Sequence, residues 1–583
     1  MKLAQKSKIK LSIYRKNKSI ILLFGLSFIS IYLFIVSLQG LDLCDEGWVL
    51  SFYQQFFQNT QSVKYQMLYY LTGFFGGLWE LTFGWGGIIS FRILNILTII
   101  ATSYITYKTT ERYISPVLVL IATLCIVLLT RYGNIVFHHN HFSALLISLS
   151  LFFLLTGINI NKTRFILYGG MFVGISFFAR VANITLLSFG LLLIVNLFYE
   201  RNWNQFFYFI SLFILGLCLG TISIIGIMYS LGHEDIFYSS LIENLISAGV
   251  ESGSSHNLSV LMETYVDQYK QVIKSLFIYL LLYLAVQFFY NSYKNMVYVA
   301  ILTVLIIFFL FKQRLYGMTD FYAFILLGIL ISCYKNYGNK ELMLLSIAGI
   351  LTMFCLPLGS DYGIENMGAY SLWLGTFVAF NHYSYVNFTH VKVKDYSNLT
   401  YASLVLFVFL SVNSIAVFGN AYFDPGSRLE KKFRIRNNSL ANVYSTKVKV
   451  QEMDDLLYEL QKYVNPGDTM LCFESLPMIQ YLTQTVPYMG SSWVWIYDPK
   501  NFKRNLVQAE QSGKKMPVVL RQKCQPIQGF WTLPDYGYNE VNLPDNLLYN
   551  KERTIAFNDF LKRNDYQIIW ENELFQILTV TKK

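Results

Sequence analysis

Apolar windows of roughly 20 residues recur along the chain as far as Asn420, each long enough to cross ~30 Å of hydrocarbon. A backbone in that medium must satisfy its own N–H and C=O groups, so such runs can only be helices. About thirteen windows can be placed, centred near residues 28, 97, 122, 151, 172, 191, 218, 282, 304, 327, 350, 376 and 409. Of the 583 residues, 54% are hydrophobic and only 14% charged, which no ordinary soluble domain of this length matches. The expected fold is a polytopic α-helical membrane protein of about 13 transmembrane helices over residues 1–420. A small C-terminal α/β domain is expected over residues 421–583.

The net charge of +11 does not point to nucleic acid, because Lys and Arg stand singly or in short groups at the ends of apolar runs. Anchoring at the membrane surface explains them. Assigning sides by Lys and Arg places the N-terminus, Lys108 to Arg112, Lys162 to Arg164, Arg201, Lys294, Lys335 to Lys340 and Lys392 to Lys394 in the cytoplasm. The loops holding most of the acids, histidines and isolated cations then face outward, as does everything after Asn420. The seven cysteines show no CxxC spacing and no disulfide framework. The basic N-terminus followed by apolar Ile20 to Val36 reads as a retained first helix.

Beyond the turn formers Asp424-Pro425-Gly426-Ser427 the composition changes. Val450, Met453, Leu456, Leu457 and Leu460 recur at helical spacing, stopped by Pro466-Gly467. Strands are expected at Thr469 to Phe473, Pro517 to Leu520, Gln567 to Trp570 and Phe575 to Val580, and helices at Pro477 to Leu482 and Thr554 to Arg563.

Three acids, Asp42, Asp45 and Glu46, fall within five residues directly after the first apolar run. Carboxylates beside a bilayer are costly unless they face water, a cation or a polar cavity, so they mark a candidate site. Trp48, Tyr53, Phe56 and Phe57 follow, as in an amphipathic helix along the interface, and capping of that helix is the plain structural role for the acids.

The acidic pair just after the first transmembrane helix resembles the signature of the GT-C glycosyltransferases that use polyprenyl-phosphate sugars, such as the protein O-mannosyltransferases and the lipid A aminoarabinose transferases. Lys64 to Leu71 is similar to the family's first-loop segment, and Phe83-Gly84 with Phe91-Arg92-Ile93-Leu94 resembles the pattern opening its second helix. The resemblance implies a periplasmic reaction at the bacterial inner membrane. In it a sugar passes with inversion from an undecaprenyl-phosphate-like donor to a lipid, glycan or protein acceptor. It implies a general base at Asp45, with Glu46 as the competing position, because the lipid phosphate is already a good leaving group and only the acceptor proton must be taken. It further implies Lys64, Lys312, Arg314 and Tyr316 as contacts of the donor phosphate.

The second outer loop departs from the family: it lacks an acid and instead carries His138, His139 and His141. His138 and His141, three apart, are expected on one helical face, where with Asp45 they would form a site for a divalent metal ion, or else contact phosphate or acceptor. Arg180 and Asp361, the latter in a glycine-punctuated turn, complete the candidate substrate region. Glu251 to His256 has a lid-like composition. The rival functions are a polymerase or ligase acting on diphosphate-linked glycans, a lipid or glycan transporter, and an inactive scaffold. Transport would call for internal repeats and broken helices, neither of which is evident.

Overall fold

The computed structural model describes residues 2–129, 136–246, 257–292, 296–383, 396–424, 426–523 and 548–580. Glu251 to His256, Lys294, Lys392 to Lys394 and Pro425, all used in the sequence reading, lie outside them.

Seventeen helices precede residue 420 among the described residues, and each of the thirteen expected centres falls in one of them. They are α1 (Lys2–Ser37), α2 (Asp45–Gln55), α3 (Tyr70–Phe83), α4 (Gly87–Thr110), α5 (Pro116–Leu129), α6 (His139–Asn159), α7 (Thr163–Ala179), α8 (Leu191–Glu200) and α9 (Trp203–Leu231). After these come α10 (Glu234–Ser240), α11 (Leu258–Ser292), α12 (Met296–Lys312), α13 (Met318–Lys335), α14 (Lys340–Cys355), α15 (Gly363–Ser371), α16 (Trp373–Tyr383) and α17 (Tyr396–Gly419). Eight helical segments among the described residues are long and apolar enough to cross a membrane. Five of the thirteen expected spans fall short of that length: α5, α7 and Ala300–Lys312 within α12 are apolar but shorter, and α14 and α16 have 16 and 11 residues. Apolar side chains face outward on α1, α9, α11 and α12, as on helices solvated by lipid.

The tail adds helices α18 (Lys447–Leu460), α19 (Pro477–Thr483), α20 (Pro499–Gln511) and α21 (Leu548–Arg563). Strands β1 (Phe433–Arg434) and β2 (Tyr444–Ser445) form a short antiparallel pair. Strands β3 (Thr469–Phe473), β4 (Val486–Pro487), β5 (Val518–Gln522), β6 (Tyr566–Glu571) and β7 (Phe575–Val580) form one sheet in the order β4-β3-β5-β7-β6. β3 is parallel to both β4 and β5, and the β7–β6 hairpin adds on antiparallel. The periodic residues Val450, Met453, Leu456, Leu457 and Leu460 are all buried on one face of α18.

Packing crosses the sequence boundary near residue 420. One hydrophobic core contains Leu41, Trp48, Phe52, Tyr53 and Phe56 together with Met453, Met470, Leu476, Met478 and Phe575 from the tail. The α2 helix therefore does not lie along an interface as its amphipathic pattern suggests, but is covered on all sides. Gly47 makes this contact possible, because a Cβ there would sit 2.0 Å from the backbone nitrogen of Met478. The Met478 amide in turn donates to the Leu43 carbonyl at 3.0 Å. A buried ionic knot fastens the same seam. The Asp424 carboxylate lies 3.2 Å from Lys431 Nζ and 3.4 Å from Lys449 Nζ and accepts from the Leu41 amide at 2.9 Å, while Lys449 donates to the Leu41 carbonyl. These two ammonium groups hold Asp424 below the usual carboxylate range despite its burial.

Candidate active site

The three acids that adjoin in sequence have three different environments. Asp42 is fully buried and its carboxylate accepts from the amides of Cys44 at 2.7 Å and Glu46 at 2.9 Å, capping the first turn of α2. Glu46 is also buried and is gripped by Arg92 of α4, whose Nε and Nη2 donate to its two oxygens at 3.1 and 2.8 Å. Arg92 further donates to the carbonyls of Ser37 and Gly40, tying α4 to the end of α1. Asp45 alone of the three stays partly accessible.

Asp45 accepts from the Tyr422 hydroxyl and, weakly, from the Cys44 thiol at 3.8 Å. Burial pushes it up to about 6, the hydrogen bonds from Tyr422 and Cys44 pull it down, and the charges of Asp361 and Glu46 push it up. Tyr422 lines a cavity of about 630 Å³ bounded by α1, α4, α5 and α17. Its wall is apolar along Leu33, Val36, Ile96, Val127 and Leu128 and becomes polar at Tyr362, Glu365, Asn420, Tyr422 and Arg428. Arg428 donates to the carbonyls of Val417 at 2.6 Å and Val36 at 3.0 Å, so it joins the ends of the first and last of these helices while lining the cavity. Burial lowers its guanidinium to about 10, which still leaves it charged at neutral pH.

A second group of side chains adjoins Asp45 through Asp361. Arg180, buried between α7 and α8, donates to the Leu356 carbonyl at 3.1 Å and keeps its charge beside Asp361 and the Tyr69 hydroxyl, although burial lowers it to about 10. His139 stacks on Tyr69 with ring centroids 4.0 Å apart, and Trp48 meets both rings edge-on at 6.2 and 5.6 Å. His138 and His141 do not share a helical face. His138 is the extended residue before α6, its Nδ1 accepting from the Asn140 amide at 3.4 Å, while His141 is inside the helix with its ring edge-on to Tyr370 at 4.9 Å. Burial first, then the charges of His141 and Arg180, drives His138 down to about 3, leaving a neutral ring. Among the described residues no three His, Cys, Asp or Glu side chains converge as a metal site. Asp45, His138 and His141 do not form such a group.

The other expected phosphate contacts lie elsewhere. Lys64 pairs with Glu243 at 2.8 Å. Lys312 and Arg314 are exposed at the α12–α13 turn and, among the described residues, do not line the cavity. Tyr316 is not among the described residues that line the cavity, but its carbonyl accepts from Asn413, which does, at 3.3 Å. Sequence reasoning missed Tyr422, Arg428 and the Asp424 knot, which lie more than 370 positions from the residues they hold. The one available signal was Arg92, a cation inside an apolar run, which by itself calls for a buried partner.

No family model matches this chain, and no curated protein matches it in sequence. Among solved structures, the crystal structure of the Archaeoglobus fulgidus oligosaccharyltransferase in complex with Zn and sulfate is similar over 86% of this chain and 68% of that one, at 10% identity and a TM-score of 0.40. A likeness so loose transfers no residue and no role.

Proposed function

We propose that this chain is a membrane glycosyltransferase that moves a sugar from a polyprenyl-phosphate donor to a hydroxyl acceptor with inversion, with Asp45 as the general base. The observation that carries this reading is the position of Asp45. Of the three clustered acids it is the one left accessible, and Tyr422 joins it to a cavity that is apolar on one side and polar and cationic on the other. Such a cavity suits a ligand with a lipid tail and a charged phosphate headgroup.

In this reading the tail lies against Leu33, Val36 and Val127, and the phosphate meets Arg428, which replaces Lys312 and Arg314 as the expected contact. The acceptor hydroxyl gives its proton to Asp45 as its oxygen attacks the anomeric carbon. The bond from that carbon to the phosphate oxygen breaks, and the electron pair leaves with the phosphate, whose added charge Arg428 stabilises. A carboxylate near pH 6 is well matched to this task, being mostly ionised at neutral pH yet still basic. The outer, periplasmic location of the site belongs to the same proposal and rests on the distribution of Lys and Arg.

The test is sugar transfer by purified Asp45→Asn protein supplied with polyprenyl-phosphate sugars. A loss of about 100-fold or more with an unchanged melting profile is expected. Transfer at the wild-type rate would remove Asp45 from the mechanism.

A further inference from the structure

A second carboxylate in the tail carries the features of a binding residue. In the sheet, β3 leads through α19 to β4 on one side, and β4 leads through α20 to β5 on the other side of β3. The strand that follows β3 in sequence lies on one side of the β3–β5 pair and the strand that follows β5, β6, lies on the other, and the crevice outside such a reversal is where open α/β sheets bind ligands. Glu474, the first residue after β3, stands at that place.

Three properties of Glu474 are independent of this topology. Its backbone has φ of +82°, a conformation that a residue with a Cβ adopts only when its surroundings impose it. Its side chain is only 5% exposed. Among the described residues its Oε2 has no hydrogen-bond partner, although a buried carboxylate oxygen is costly to leave in that state. Burial raises the Glu474 carboxyl to about 7, against the lowering charges of Arg553 and Arg521 and the hydrogen bond from the Trp495 indole, whose ring Arg553 stacks on at 4.3 Å. Arg521 sits opposite Phe473 in the β3–β5 register, next to Glu474 in the crevice.

This place is continuous with the Asp45 site. Ser475 reaches the Cys44 thiol, itself against Asp45. Trp493 meets Trp48 edge-on at 6.2 Å, so the Trp493 to Trp495 segment runs from the α2 helix to Glu474.

We infer that Glu474, with Trp495 beside it, forms a carbohydrate subsite in which an unpaired carboxylate oxygen accepts sugar hydroxyls. This deepens the proposed function by naming the acceptor as a glycan. Carboxylates and tryptophan rings are suited to sugars because the first accepts two hydroxyl protons and the second packs against the apolar face of the ring.

The experiment titrates full-length protein in detergent with a panel of neutral di- to tetrasaccharides, followed by tryptophan fluorescence. Wild type and Asp45→Asn are expected to give the same saturable change with at least one oligosaccharide, and Glu474→Gln to weaken it about tenfold or more. Trp495→Phe, which keeps a ring but removes the N–H, serves as the second variant and is also expected to weaken binding. Thermal unfolding checks that each variant is folded, and if Glu474→Gln does not fold, Trp495→Phe decides the matter. Equal affinity in the folded variants, or no binding of any panel member by wild type, overturns the subsite. If Asp45→Asn transfers sugar normally while binding still depends on Glu474, the base assignment fails and the subsite stands.

Discussion

Asp45 differs from Asp42 and Glu46 in what surrounds it: a hydroxyl and a thiol in place of backbone amides or a guanidinium. That difference has a pH signature. Burial raises Asp45 to about 6, so its ionised, basic form is lost as pH falls through that value. Transfer is expected to rise with pH across this range and level off near neutrality, as initial rates between about pH 5 and 8 would show. The Tyr422 hydrogen bond favours the ionised form, so Tyr422→Phe is expected to move the midpoint upward in pH with little change in the plateau. The candidate acids were legible in the sequence because charge beside a long apolar run stands out. Their division of labour was not, because it is set by Tyr422 and Arg92, one 377 residues and the other 46 residues distant.

At the level of elements, the Arg92–Glu46 pair joins α4, α2 and the end of α1, with neither side chain reached by solvent. Removing one partner leaves an uncompensated buried charge, so Arg92→Met is expected to cost about 3–5 kcal/mol of stability. The double variant Arg92→Met with Glu46→Leu is expected to recover much of that loss, which thermal unfolding of the single and double variants would measure as a coupling. Helices with strong apolar periodicity could be read from the sequence, as could β3, whose apolar run Met470 to Phe473 is continuous, and β7, whose Phe575, Ile577 and Leu578 are buried. The α20 helix was missed because its three buried contacts Phe502, Leu506 and Ala509 are diluted by charge, although Asp498 capping the Asn501 amide ahead of Pro499 is a legible start signal. The β4 strand has two residues and no pattern to read. For α2, the sequence period identified a helix but could not show that α19 would cover its polar side.

At the scale of the whole molecule, the helical body and the tail share a core through α2, so neither is complete without the other. Gly47 is the tightest point of that contact, and Gly47→Val is expected to lever α2 away from Met478. Protease digestion of membranes holding this variant is expected to release the tail much faster than from wild type, whereas equal rates would show that the seam tolerates the bulk. The seam also sets an order of events during synthesis. The ends of the acid-bearing loop are held by Asp424, Lys449 and Met478, which the ribosome reaches more than 370 residues after Asp45. While the chain is being made, the loop emerges long before its supports, so the carboxylate has neither Tyr422 nor a finished cavity beside it. On the proposed function, a product truncated before Tyr422 lacks the groups that hold Asp45 and its loop, and is expected to be inactive in sugar transfer assays.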